Sequence, residues 1–439
     1  MISPQRRREI IDALRRGTVP QRGLDAFAVG TGRFAAAVDD ELDVVAAGGA
    51  GFKAIRGEYG SGKSFTVRWI AERARNRGFA TAEVQISEGE TPLHHLETVY
   101  RRLCERLTTA DTPGGALRTV VDSWLFTLHD DVVAGGAVDP SDSEAVLAAT
   151  DALAEQRLGP VAARAPALAA VLRGYRRALA EGDSAAAEGL LAWLGGQPHV
   201  AASIKRVAGI RGDLDHDGAL AFLAGLLTIL RGAGYDGLVL VLDEVETLQR
   251  VRSDVRDRAL NALRQLIDEV DQGRFPGLYL VITGTPAFFD GPQGAQRLPP
   301  LAQRLHTDFT TDARFDNPRA VQLRLPGFDL HSLEEVGRRV RDLYRDGSEA
   351  PERIGERCDD AYVALLARSV TGDLGGKVGV APRVFLKKLV GDVLDRIDQF
   401  PDFDPRRDYQ LTIADTELTE TERNARAATS IDEIDLQIE

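Results

Sequence analysis

A glycine-rich run near the start of the chain has the residue types and the spacing that hold phosphate groups in proteins. It fits the pattern of Gly, four residues and then Gly-Lys-Ser, and its members are Gly57, Glu58, Tyr59, Gly60, Ser61, Gly62, Lys63 and Ser64. The glycines let the backbone curl until successive N–H groups point at phosphate oxygens, and a helix running on from Phe65 adds the positive end of its dipole. Lys63 would reach the β- and γ-phosphates, and the Ser64 hydroxyl would bind Mg²⁺. The alternative is a chance Gly-rich turn, which the strand-like residues before the run and the helical residues after it disfavour.

A second stretch combines a buried strand with two acids. Residues 238–242 are an unbroken apolar run, which is typical of a strand covered on both faces, and Asp243 and Glu244 follow it. The carboxyl ends of parallel strands are where α/β sheets place ligand-binding residues. We expect Asp243 to hold Mg²⁺ through water and Glu244 to polarise the water that attacks the nucleotide. A buried strand followed by an acidic turn is the alternative, and the phosphate loop upstream favours the functional interpretation.

Two threonines follow the next apolar run. Residues 277–282 predict another buried strand, which ends in Thr283, Gly284, Thr285 and Pro286. A polar side chain at this strand end would lie between the phosphate loop and the Asp-Glu pair and could hydrogen-bond the γ-phosphate or the attacking water. Either Thr283 or Thr285 could do this, and the spacing does not choose between them. The alternative is a Gly-Pro turn in which the threonines only cap.

The elements that position these residues alternate between strand and helix, which predicts an α/β fold with a parallel sheet flanked by helices. Further strands are predicted at 52–56, 79–87 and 321–325. We expect the following divisions of the chain: 1–50, N-terminal helices and an adenine-side loop; 51–113, first part of the nucleotide-binding core; 114–216, a large helical insertion; 217–328, second part of the core; 329–400, a helical lid; 401–439, an acidic tail.

Composition narrows the class of protein. The 439 residues carry a formal net charge of −13, which argues against a protein that coats nucleic acid non-specifically. Residues 3–16 are nevertheless rich in Arg, and they are interpreted either as a contact to nucleic acid or an acidic partner, or as a solvated helix face. The tail 415–439 holds eight acids and two arginines, a net charge of −6, and is expected to be flexible or docked on a partner.

Location and redox chemistry can also be predicted from the sequence. Cys104 and Cys358 lie far apart, without the spacing of a metal site or a disulfide framework. The basic N-terminus is not followed by an apolar signal core, and no apolar run of 18 residues occurs. We therefore expect a cytoplasmic protein without a membrane anchor.

Taken together, the phosphate loop, the Asp-Glu strand end, the threonines and a helical unit opening on Pro382-Arg383 resemble the architecture of AAA+ ATPases, nearest the initiator-like and signalling branch. The resemblance covers roughly residues 20–400. It implies that one of the two threonines is the first sensor and Arg383 the second. It also implies an arginine supplied by a neighbouring subunit of a homo-oligomer, for which Arg304 is the first choice and Arg314 the second. Val19, Pro20 and Val29, ahead of the loop, are the candidates for packing against adenine.

Residues 17–24, the phosphate loop and residues 317–328 also resemble the ATP-binding proteins encoded in bacteriophage-exclusion (BREX) and related defence clusters. This resemblance implies a role in antiphage defence beside helicase-like and DNA-modifying partners. Initiator ATPases carry a DNA-binding winged helix after the lid, whereas here only an acidic stretch of about 40 residues follows. We therefore expect any contact with DNA to be indirect or non-specific.

Two functions remain open at this point. The first is a hydrolysing ATPase that uses ATP and Mg²⁺ and acts on a nucleic-acid-associated machine. The second is an ATP-dependent switch or scaffold with little hydrolysis, which presents the helical insertion to partners. A GTPase is disfavoured because no Asn-Lys-x-Asp base-reading motif is present, and a small-molecule kinase has no use for the long insertion.

Overall fold

A five-stranded parallel sheet forms the centre of the molecule, in a computed structural model that describes residues 2–162, 165–373, 382–418 and 423. Its strands are β1 (Gly51–Arg56), β2 (Ala80–Gln85), β3 (Leu238–Asp243), β4 (Leu278–Gly284) and β5 (Gln322–Arg324). They lie side by side in the order β2-β3-β4-β1-β5, and every pairing is parallel. The predicted α/β fold is confirmed, and all five predicted strands are present.

The burial of the strands explains why their sequences are continuously apolar. Every residue of β3 and β4 is buried, because these central strands have helices on both faces. In the register of the sheet, Ile55 of β1 lies beside Thr283 of β4, and Asp243 of β3 lies beside Gln85 of β2. The carboxyl ends of four strands are thereby brought to one edge of the sheet.

The helices flank the sheet in chain order. They are α1 (Pro4–Arg15), α2 (Gly32–Ala46), α3 (Lys63–Arg75), α4 (Leu96–Arg106), α5 (Leu117–Ala134), α6 (Ser143–Ala162), α7 (Pro166–Glu181), α8 (Ser184–Leu194), α9 (Ala202–Val207), α10 (His216–Gly232), α11 (Ser253–Asp271), α12 (Pro286–Asp290), α13 (Pro299–Leu305), α14 (Leu330–Arg345), α15 (Pro351–Arg357), α16 (Asp360–Asp373), α17 (Pro382–Lys387), α18 (Asp395–Gln399) and α19 (Pro405–Asp408). None of the helices in the described part of the chain is long and apolar enough to cross a membrane.

Two apolar clusters cover the two faces of the sheet. On one face, Leu240 and Leu280 belong to a cluster that runs through α10 into the helices α5–α8. On the other face, Val241 and Val281 belong to a cluster that contains α1, α3 and the helices of the predicted lid. The region between β2 and β3 consists of the helices α4–α10, and it packs on the opposite side of the sheet from the lid.

The N-terminal helix is attached to the lid. Ser3 caps α1 by accepting a hydrogen bond from the N–H of Arg6, and Pro4 starts the helix. Arg15 then donates to Asp395 at 2.6 and 2.8 Å, and Arg7 donates to the carbonyl of Asp346 at 2.7 Å. Two of the arginines in the basic segment therefore bind lid groups within the chain, which neither interpretation of that segment foresaw.

The last lid helix and the start of the tail also differ from expectation. The helical unit that opens on Pro382-Arg383 is not one regular α-helix, because α17 is followed by a π-helix, Lys388–Leu394, before α18. Residues 374–381 lie outside the described part of the chain, as do 419–422 and 424–439. In the described start of the acidic tail, Glu417 forms ion pairs with Lys387 and Lys388, and Leu418 is buried in the lid-side cluster.

Candidate functional site

The phosphate loop connects β1 directly to α3. Gly60 and Gly62 have φ angles of 78° and 90°, which glycine adopts without strain, and Gly62 is the N-cap residue of α3. The side chain of Lys63 is folded back over the loop: its Nζ donates to the carbonyl of Gly57 at 2.9 Å and to that of Glu58 at 3.3 Å. The Tyr59 ring lies against the same ammonium, with 5.0 Å from Nζ to the ring centre.

A hydrogen-bond network joins the loop to the ends of β3 and β4. Ser64 Oγ donates to Asp243 Oδ2 at 3.3 Å, and Thr283 Oγ1 donates to Asp243 Oδ1. The N–H of Glu244 in turn donates to Thr283 Oγ1 at 2.9 Å and to Asp243 Oδ1 at 3.1 Å. The structure thus brings together four of the predicted site residues. Because β4 lies between β3 and β1, Thr283 lies between the acidic pair at the end of β3 and the strand that leads into the phosphate loop.

Glu244 has an unusual backbone and a side-chain partner on β2. Its φ of 60° is in the left-handed region, which costs a residue with a Cβ roughly 1–2 kcal/mol. The two hydrogen bonds to its N–H hold it there, as does Thr247, whose N–H donates to the Glu244 carbonyl at 3.1 Å. Gln85 Nε2 donates to Glu244 Oε2 at 2.8 Å. The carboxylate is therefore oriented by the strand next to its own.

Glu246 is a buried acid that the sequence interpretation missed. It lies on a 3₁₀-helix, Val245–Gln249, and only 4% of it is exposed. Its Oε1 lies 3.7 Å from Lys63 Nζ, and within the described residues neither carboxylate oxygen has a hydrogen-bond partner. Burial raises the pKa of Glu246, and the Lys63 charge opposes that rise. In the sequence, a second acid after the Asp-Glu pair is only a weak indication of a site residue, because the turn decides whether its side chain points into the site or into solvent.

A cavity of about 700 Å³ opens over the phosphate loop, a size typical of small-molecule sites. Apart from the loop, its walls come from the segment before α2, the ends of β3 and β5, and the lid. Val19, Pro20 and Val29, the candidates for adenine contact, line it together with Phe27 and Phe328. The apolar part of the wall is therefore on the side of the N-terminal segment, and the polar part is at the strand ends.

Of the other predicted site residues, two line the cavity and the rest do not. Phe65 and Arg383 line the same cavity, and Arg383 donates from a terminal guanidinium nitrogen to the carbonyl of Glu417 at 2.7 Å. Thr285 is buried and is the N-cap residue of α12, but its hydroxyl makes no capping hydrogen bond to that helix. Arg304 and Arg314 are not among the residues that line the cavity. Arg304 forms an ion pair with Asp268, and Arg314 is stacked on Phe315 at the surface.

The donor set at the strand ends suits magnesium. Mg²⁺ prefers oxygen ligands and usually takes only one or two from protein, with phosphates and water completing its shell. Ser64 and Asp243 supply a hydroxyl and a carboxylate beside the phosphate loop. In the described residues no cluster of three or more His, Cys, Asp or Glu could form an all-protein metal site. The arrangement therefore fits a metal that is shared with a phosphate ligand.

A comparison with models of protein families shows which family has this sequence. The family model of the BREX system ATP-binding proteins BrxC/D matches residues 2–413. The chain belongs to this family. The match spans the phosphate loop, the Asp-Glu strand end and the helices on both faces of the sheet, so the sequence resemblance to BREX ATP-binding proteins is confirmed. No curated protein and no solved structure matches the chain.

Proposed function

We propose that this BrxC/D family protein binds ATP with Mg²⁺ in the cavity over the phosphate loop and hydrolyses it. The observation that carries the proposal is the network in which Ser64, Asp243 and Thr283 meet beneath the loop, with Glu244 held beside them. A phosphate-binding loop alone would fit any nucleotide-binding protein. A carboxylate fixed beside the loop, on the strand edge where the γ-phosphate would lie, is what hydrolysis requires in addition.

Each residue has a distinct role in the proposed reaction. The amides of Gly60, Gly62 and Lys63 and the Lys63 ammonium neutralise charge that spreads over the phosphoryl group as it is transferred. Ser64 and Asp243 would hold Mg²⁺, which would neutralise phosphate charge when bound. Glu244 orients the attacking water. To contact phosphate, Lys63 has to exchange its hydrogen bonds to the Gly57 and Glu58 carbonyls for bonds to the nucleotide.

Membership of the family supports a role in BREX defence. We further propose that the protein works with other components of the system, such as a helicase, in the cytoplasm and as a homo-oligomer. Arg304 or Arg314 of a neighbouring subunit would then complete the site. The Arg304–Asp268 ion pair would have to open for that, whereas Arg314 is already exposed.

An ATP-dependent switch with little intrinsic hydrolysis is the second candidate, and one contact favours it. The Glu244 carboxylate is bonded to Gln85, so it has to be released, wholly or in part, before it can hold water. A partner that moves β2 or its following loop could control that release. Slow turnover that rises on addition of BREX components would support this second candidate.

Two substitutions test the proposal. Lys63→Ala should abolish ATP binding, and Glu244→Gln should retain binding and stop phosphate release. Equilibrium binding of labelled ATP and multiple-turnover phosphate release measure the two properties separately. If Glu244→Gln hydrolyses ATP as fast as the unmodified protein does, Glu244 has no part in the reaction. If the unmodified protein does not bind ATP, the proposal fails altogether.

A further inference from the structure

Arg250 is a cavity residue that has no role in the function proposed so far. It directly follows the 3₁₀-helix Val245–Gln249 and is therefore carried by the same short element as Glu244 and Glu246. It lines the cavity together with these two acids and Tyr59. One of its terminal guanidinium nitrogens donates to the Tyr59 hydroxyl at 3.3 Å.

The Tyr59 side chain connects Arg250 to the phosphate loop. Its ring packs on the Lys63 ammonium at 5.0 Å, while its hydroxyl accepts from Arg250. Arg250 is thus one side chain away from the lysine expected to bind the β- and γ-phosphates. Tyr59 is also part of the loop itself, so the guanidinium lies beside the loop.

The negative charges at this end of the cavity would be better balanced by a second cation in addition to Lys63. Asp243, Glu244 and Glu246 all line it, and a triphosphate remains negatively charged even with Mg²⁺ bound. Among the described lining residues the basic side chains are Arg33, Lys63, Arg250 and Arg383. Arg33 donates to the Arg324 carbonyl at 2.6 Å beside β5, and Arg383 belongs to the lid. Arg250 is therefore the basic lining residue that shares a short element with Glu244 and is joined to the loop through Tyr59.

The present partner of Arg250 is easily exchanged. A phenol hydroxyl is neutral, and no carboxylate of the described chain forms an ion pair with Arg250, whereas Arg304 is paired with Asp268. A hydrogen bond from arginine to phosphate joins two opposite charges and can be bidentate, whereas the bond to the Tyr59 hydroxyl has a neutral acceptor. Moving from Tyr59 to a γ-phosphate oxygen would therefore be favourable, and the Arg250 side chain is exposed.

We propose that Arg250 acts within its own chain as the catalytic arginine, binding the γ-phosphate and stabilising its charge during hydrolysis. The inference rests on the proposed ATPase function, and it adds an arginine from the same chain to the one that a neighbouring subunit would supply. In the reaction, the water oxygen bonds to the γ-phosphorus as the bond to the β–γ bridging oxygen breaks. ADP leaves with that electron pair, and the water proton is released through Glu244 or the phosphate product. An arginine at this position contributes about 10³–10⁵ in rate in related phosphoryl transfers, and it can be supplied in cis.

The decisive measurements use the full chain with Arg250→Ala, Arg250→Lys and a matched control, Arg252→Ala. Arg252 is exposed two residues away and does not line the cavity. ADP affinity should be unchanged in all variants, because ADP lacks the γ-phosphate. Single-turnover hydrolysis should fall about 10³-fold in Arg250→Ala, recover in part in Arg250→Lys and stay normal in Arg252→Ala. Binding of ADP with fluoroaluminate, a mimic of the transferring phosphoryl group, should weaken in the same order.

Mixing variants determines which chain supplies the arginine. Chains with Lys63→Ala cannot bind nucleotide but retain Arg250, and chains with Arg250→Ala bind nucleotide without it. If the arginine acted on a neighbour, a mixture would regain hydrolysis; we expect no recovery at any ratio, and recovery would overturn the inference. Equal fluoroaluminate binding by Arg250→Ala and the unmodified protein would also overturn it while leaving ATP binding by the protein intact. Failure of the unmodified protein to bind ATP would overturn both the inference and the proposed function.

Discussion

Thr283→Val provides the sharpest test of the network that carries the proposed function. The substitution keeps the shape of a fully buried side chain and removes one hydroxyl. That hydroxyl donates to the Asp243 carboxylate and accepts from the N–H of Glu244. A hydrogen bond to a charged group is worth about 1.5–3 kcal/mol and a neutral one about 0.5–1.5 kcal/mol. We therefore expect a loss of about 2–4 kcal/mol in the free energy of unfolding without nucleotide.

We also expect Thr283→Val to slow ATP hydrolysis. Without the Thr283 hydroxyl, Asp243 loses a hydrogen bond that orients it, and Glu244 loses one of the two hydrogen bonds from its N–H that hold its left-handed backbone. If the full 2–4 kcal/mol is lost from the transition state, hydrolysis slows about 30- to 900-fold. ATP affinity should change much less, because the phosphate loop is untouched.

Thr285→Val is the matched control, since Thr285 is also buried but does not cap its helix through its hydroxyl. Urea unfolding and phosphate release, measured on both variants, test the expectation. If the two variants lose the same stability and the same activity, the contacts around Thr283 do not determine either property, and the assignment of Thr283 over Thr285 is wrong.

Three further predictions concern the lid, the tail and the cysteines. Arg383→Ala should weaken ATP binding more than ADP binding if Arg383 senses the γ-phosphate, as shown by titration with both nucleotides. Burial opposes the ionisation of Glu417, but hydrogen bonds from Lys388 and Lys387 outweigh it and lower its pKa to about 2, from its ordinary value of 4.5. Its contribution to stability is therefore complete above about pH 4.5 and is lost as the pH falls towards 2, and Glu417→Gln should remove that pH dependence and expose residues near 418 to proteases at neutral pH. Burial raises the pKa of Cys104 and of Cys358 to about 12, so both thiols should resist alkylation in the folded protein and react once it is unfolded.

The sheet and the strand–loop–helix that carries Lys63 and Ser64 could be predicted because their signals are local. A continuous apolar run predicts a strand buried on both faces, and Gly, Lys and Ser at fixed spacing predict the loop whatever surrounds it. The choice between Thr283 and Thr285 could not be made in this way. Two positions apart, both would lie on the same side of an extended strand. In the structure Thr283 lies within β4, which ends at Gly284, and Thr285 is the N-cap residue of α12.

The positions of Glu246 and Arg250 at the cavity could not be predicted either, for a different reason. Their directions are set by a 3₁₀-helix that begins after a residue with positive φ, and the sequence contains no glycine there to indicate such a turn. The acidic tail is a related case. Its composition predicts solvation, but Glu417 meets two lysines of the lid, with 3.0 Å to Lys387 and 2.8 Å to Lys388. Ion pairs of this kind depend on tertiary packing and produce no periodic pattern in the sequence.

The packing of the lid limits how the protein can respond to nucleotide. Lid residues such as Val336 and Phe385 belong to the same apolar cluster as Val241 and Val281 on the sheet, so swinging the lid open would expose a continuous core. Arg339 of the lid also donates to the carbonyl of Ala28, which lies in the segment that lines the cavity. A response confined to side chains and to the adenine-side segment would leave this core intact. We therefore expect nucleotide to act through local moves, with Arg383 exchanging its bond to Glu417 and Arg250 its bond to Tyr59, and to leave lid and sheet packed together. Distances between labels on α14 and α11 that stay constant on ATP binding would support this view, and a shift of many ångströms would refute it.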